Sequence, residues 1–67
     1  MDSAKIYKNG VFYCERETFD NAVWELECIA RSWRKNNGII IEHTEDTLKV
    51  CEETGENEQI FTIKKIQ

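Results

Sequence analysis

The sequence predicts an α+β domain of two layers, a ββαβββ chain whose single helix covers one face of an antiparallel or mixed sheet. Three observations carry that expectation. An Asn9-Gly10 pair separates two strand-like runs, apolar residues recur at helical spacing from Phe19 to Trp33, and after Gly38 the period falls to two. Hairpin-length connections on either side of one helix lead to a layered arrangement of this kind.

The first two strands are Lys5-Ile6-Tyr7-Lys8 and Val11-Phe12-Tyr13-Cys14-Glu15. Asn-Gly supplies both positive-φ positions of a type I′ turn, a register that sets Tyr7 opposite Phe12 and Ile6 opposite Tyr13. Thr18 suits the N-cap of the helix, and Asp20 in the first turn complements its dipole. Phe19, Ala22, Val23, Leu26, Ile29, Ala30 and Trp33 then form one stripe, so the helix is expected over Phe19 to Lys35. Arg31, Arg34 and Lys35 sit in its last turn, and Asn36-Asn37-Gly38 offers a left-handed stop. Ile39-Ile40-Ile41-Glu42-His43, Thr47-Leu48-Lys49-Val50-Cys51-Glu52 and Gln59 through Ile66 read as the remaining strands, joined by Thr44-Glu45-Asp46 and Thr54-Gly55-Glu56-Asn57.

Composition narrows the function classes. The chain has 67 residues, which fits one domain over residues 1–67. Its 40% hydrophobic and 33% charged content is too apolar for a disordered tail. A net charge of −4 disfavours direct nucleic-acid binding, which draws on Lys and Arg against phosphate. No apolar run approaches a membrane span, and the first ten residues do not resemble a signal peptide. Three cysteines, an odd number without an export signal, suggest reduced thiols and a cytoplasmic location.

Catalytic chemistry has little to work with. The one histidine, His43, ends a strand and reads as a solvated surface residue; no local context activates Cys14, Cys28 or Cys51 as its nucleophile. Zinc would need close ligand pairs, and the nearest spacing, His43 to Cys51, spans a hairpin. Glu42, Glu45 and Asp46 gather around one turn without calcium-loop spacing, and Gly10, Gly38 and Gly55 are isolated. The expectation is no catalytic residue, no metal and no cofactor.

The informative residues are apolar ones with no core to enter. On a helical wheel Trp24 and Cys28 lie opposite the apolar stripe, beside Arg31 and Lys35. An indole there either anchors a partner or is covered by the stem of Arg31 or Lys35. The first hairpin is apolar on both faces: Ile6, Val11 and Tyr13 on one, Tyr7, Phe12 and Cys14 on the other. Further along, Ile39, Ile41, Leu48, Val50, Phe61 and Ile63 are expected inward, with Ile40, Cys51, Ile60 and Ile66 outward. An uncovered apolar sheet face of this kind marks a contact surface unless Glu42, Lys49 and Thr62 break it up. The residues expected to touch a partner are therefore Trp24, Cys28 and Arg31 on the helix, and Tyr7, Phe12, Ile40 and Ile60 on the sheet.

Ile6-Tyr7-Lys8-Asn9-Gly10, Thr18-Phe19-Asp20-Asn21-Ala22 and Glu53-Thr54-Gly55-Glu56 together resemble the short orphan αβ proteins of phages and other mobile elements of low-GC bacteria. That resemblance implies a small inhibitor or modulator of a host or defence protein. With the surface residues, it leads to a non-enzymatic protein-binding module that works by occlusion. Aromatic anchors would fill a partner pocket while carboxylates engage a basic surface. The alternative is a self-associating structural or regulatory protein, a homodimer joined through the uncovered sheet face. A thiol- or metal-dependent enzyme ranks behind both.

Overall fold

A computed structural model describes residues 3–65. The element order is β1 (Ala4–Lys8), β2 (Val11–Arg16), α1 (Phe19–Lys35), β3 (Ile39–His43), β4 (Thr47–Cys51) and β5 (Gln59–Lys65). The strands form one five-stranded sheet in the order β2-β1-β5-β4-β3, with every pairing antiparallel. The fold is α+β, one helix on one sheet. Ile66, expected on the outer sheet face, lies outside the described residues.

Both ends of α1 follow from local chemistry. Thr18 is extended at the N-cap, and its Oγ1 accepts a hydrogen bond from the Asn21 backbone N–H at 3.1 Å. At the other end it is Asn37, at φ 65°, that takes the left-handed position within the Asn36-Asn37-Gly38 stop. The Gly38 N–H donates to the Trp33 carbonyl at 2.6 Å and the Asn37 N–H to the Arg34 carbonyl at 3.1 Å, a Schellman stop. Gly38 is needed for closeness rather than for its φ. A Cβ there would lie 2.8 Å from both the Trp33 carbonyl oxygen and the indole Cε3. Gly38→Ala is expected to cost about 1–3 kcal/mol by overpacking against that backbone, read as a lower midpoint in a urea melt.

The core lies between α1 and the sheet. Ala22, Leu26 and Ala30 meet Ala4 and Ile6 of β1, Leu48 and Val50 of β4, and Phe61 and Ile63 of β5. Phe19, Val23, Ile29 and Trp33 flank this cluster, so the apolar stripe of the helix is the buried one. Burial follows strand position: β5 and β1, inside the sheet, supply core residues, whereas β2 and β3 form its edges.

Both edge strands carry a bulge, and each bulge changes which side chains face the helix. On β2, Ile6 pairs with Cys14 and Tyr7 with Phe12, leaving Tyr13 as the extra residue. Ile6 therefore does not oppose Tyr13, as the uninterrupted register predicts. The slip divides both expected side-chain sets. Ile6 and Cys14 go to the helix side, Tyr7 and Phe12 stay on the open face, and Tyr13 turns its ring edge-on to Phe61 at 5.7 Å. On β3, Ile40 pairs with Val50 and Glu42 with Lys49, so Ile41 is bulged.

The β3 expectation is reversed. Ile40 packs on the core, while Ile39 and Ile41 are 44% and 46% exposed. Three consecutive isoleucines carry no alternation, so pairing to Val50 sets the phase instead. Cys51, expected outward, is 5% exposed. It ends β4 opposite Ile39, where the chain turns back through the Glu52 N–H to the Glu56 carbonyl at 2.9 Å. His43 is also less solvated than expected. It pairs with Leu48, and its Nε2 sits 3.8 Å from the Glu27 carboxylate.

Candidate functional site

The exposed apolar residues fall into two groups. The first is built by the β1–β2 hairpin. Asn9 and Gly10, at φ 54° and 82°, make the tight turn. Asn9 also fastens that turn to β5: its N–H donates to the Ile60 carbonyl at 2.8 Å, and its Oδ1 accepts from the Ile60 N–H at 2.9 Å. The sequence marks Asn9 only as a turn residue; its second role depends on β5 lying beside β1, which no local pattern encodes. Beyond this clamp Val11, Phe12 and Tyr13 are 68%, 54% and 48% exposed.

The open sheet face continues this surface. Tyr7 and Phe12 meet edge to face, with ring centroids 6.1 Å apart. The ammonium of Lys5 lies 5.9 Å from the Phe12 centroid and that of Lys64 lies 5.2 Å from Tyr7. Tyr7, Asn9, Gly10, Ile60, Thr62 and Lys64 border a shallow hollow of about 310 Å³. Tyr7, Phe12 and Ile60 are thus brought to one region, as the sequence expects. Ile40 is not; it belongs to the helix side. Val11, paired with Lys8, and Tyr13, against Phe61, lie on the other side of the hairpin, and their exposure follows from β2 being an edge strand, which composition does not reveal.

The second group lies on the outer face of α1. Trp24 is 58% exposed. Arg31 sets its guanidinium 5.3 Å from the indole centroid, and the exposed Cys28 lies between them in sequence on the same face. Trp24, Cys28 and Arg31 are assembled as predicted. The covering of the indole by Arg31 is present as well, and it holds the ring without hiding it.

The acidic turn at 44–46 is stabilised from within. Its Asp46 carboxylate accepts from the hydroxyls of Thr44 and Thr47, each at 3.2 Å. A separate pocket of about 500 Å³ lies where the end of α1 meets the β4–β5 loop, lined by Trp33, Gly38, Glu52 and Glu53 among others. Among the described residues no group of three or more His, Cys, Asp or Glu side chains is placed to hold a metal. No helix there is long and apolar enough to cross a membrane.

The three cysteines occupy unlike environments: Cys14 half-buried, Cys28 exposed, Cys51 buried. Burial pushes the Cys14 thiol up, an effect that the nearby Arg16 opposes in part. Alkylation of the native protein at pH 8 is expected at Cys28 first, then Cys14, with Cys51 last. Timed iodoacetamide labelling with peptide mapping reads that order directly. Fast labelling of Cys51 would mean that the end of β4 opens readily.

No family model matches the chain, and no curated protein or solved structure matches it either. The two exposed groups are therefore assigned on their own chemistry.

Proposed function

We propose that this chain is a non-enzymatic protein-binding module, a small inhibitor or modulator that occludes a site on another protein, such as a host or defence protein. One observation carries the reading. A hairpin clamped to β5 by Asn9 presents Phe12 to solvent on the open sheet face against Tyr7, with Ile60 bordering the same hollow as Tyr7. Contiguous apolar surface on a rigid support is typical of contact sites, because little side-chain and loop entropy is lost on docking.

The bulge at Tyr13 bears on the mode of contact. Bulges twist an edge away from strand addition, so side chains rather than backbone ladders make this contact. Lys5 and Lys64 lie over the aromatic rings of the same region, at 5.9 and 5.2 Å from Phe12 and Tyr7. The complementary partner is an apolar pocket with carboxylates at its rim. At this patch the charge relation is the reverse of the expected one, in which the chain's own carboxylates meet a basic target.

The test is comparative capture from cells that encode the chain, using immobilised wild-type protein and Phe12→Ser. The expected result is a protein enriched at least tenfold on the wild type and lost on the variant. Its activity should then fall with a stoichiometric endpoint as free wild-type chain is added. Equal capture by both proteins, or a captured protein whose activity is unchanged, overturns the reading.

A further inference from the structure

The outer face of α1 has a property that the hairpin patch lacks: its charges run in a polar order along the helix. Within about 80° of Trp24 on a wheel of 100° per residue lie Asp20 and Glu27 toward the start and Arg31, Arg34 and Lys35 toward the end. Trp24 stands between Asp20 and Glu27 and is held by Arg31. Asp20, Arg31, Arg34 and Lys35 make no ion pair with other described residues. The helix dipole favours acids at the start and bases at the end. It does not account for a large indole exposed on the same face.

We infer that this face docks on the same face of a second copy, the two helices antiparallel about a twofold axis between Glu27 and Cys28. An antiparallel twofold sets each residue against its mirror position along the helix, so one surface must complement itself. Centred there, Asp20 meets Lys35 of the second copy, Trp24 meets Arg31, and the two Cys28 residues flank the axis. The acidic half of each helix faces the basic half of the other, and each indole gains a second guanidinium. Trp24, Glu27 and Arg31, with Asp20 and Arg34 beyond, follow the alternating three- and four-residue spacing that keeps a seam on one side of a helix. Shifting the axis by one helical turn toward the C-terminus would set Arg31 against Arg31 of the second copy, and shifting it one turn the other way would lose both the Asp20–Lys35 and the Trp24–Arg31 pairings.

This contact does not use the hairpin patch, and either can fail while the other stands. A single helix face of about 25 Å is a small interface, so the dimer is expected in the micromolar range and weakened by salt.

Charge swapping tests the pairing. Sedimentation equilibrium of the full chain at low salt is expected to show a monomer–dimer equilibrium. Lys35→Glu should weaken it tenfold or more, and so should Asp20→Lys. The double variant Asp20→Lys/Lys35→Glu should recover wild-type association, because the swapped pair is again complementary. A short bis-maleimide should link two chains through Cys28, and Cys28→Ser should abolish the link. A chain that stays monomeric at several hundred micromolar overturns the inference. So does a dimer that Lys35→Glu leaves unchanged, which would place the contact on the sheet.

Discussion

Leu26→Ala is expected to remove most of the stability of this protein. Leu26 has no exposed surface and lies in the central cluster with Ile6, Leu48, Val50 and Phe61. It is flanked on the helix by Ala22 and Ala30, whose side chains are too short to move into the space it leaves. Truncating such a leucine costs about 3–5 kcal/mol, the lost transfer energy plus the cavity. A chain of this length holds on the order of 3–10 kcal/mol in total. Urea unfolding followed by circular dichroism should therefore show a midpoint shifted to low urea or no folded baseline. Leu26→Met, close in volume, should cost less than about 1.5 kcal/mol. A mild effect of Leu26→Ala would mean that α1 does not press on β1, β4 and β5 through this residue.

The inward position of Leu26 is legible from periodicity alone, and the helix shows why periodicity works. Seven apolar residues share one stripe, so no single substitution could alter the phase, and Thr18 and Asn37 mark its ends chemically. The Asn-Gly turn is legible for a related reason: few residue pairs accept two positive φ values in succession. The sheet is legible where alternation is intact, as in Leu48–Val50 and Phe61–Ile63.

It becomes illegible at Ile39-Ile40-Ile41 and Phe12-Tyr13-Cys14. In both stretches every residue can be buried, so the chain itself does not distinguish the two faces. The phase is decided by the neighbouring strand and by a bulge, both non-local. The site divides in the same way. Trp24, Cys28 and Arg31 are readable because a helical wheel needs only local spacing. Alternation alone puts Ile40 on the wrong side and gives no sign that Val11 and Tyr13 are exposed, because both depend on which strands form the sheet edges. That order, β2-β1-β5-β4-β3, arises from β5 inserting beside β1, a pairing between segments far apart in sequence.

The two tryptophans provide the sharpest contrast, since they share one helix and should respond oppositely to truncation. Trp33 packs on the core cluster and against Gly38, close to the helix stop. Trp33→Ala opens space at that end and is expected to cost about 3 kcal/mol, the lower part of the range for aromatic truncation because the ring is only partly buried. Trp24 is 58% exposed and its main partner is the Arg31 guanidinium. Trp24→Ala removes an exposed cation–π contact and should cost about 0.5 kcal/mol in a monomer. Denaturant melts at low micromolar protein separate the two values without a contribution from self-association. Each variant also leaves one indole, so fluorescence gives an independent reading. Emission from Trp24→Ala should be blue-shifted, reporting Trp33 against the core, and should move red on unfolding. Emission from Trp33→Ala should already be red in the native state. If Trp24→Ala proves the more damaging change, the helix meets the sheet through its other face, and the surface assigned to a second copy is core.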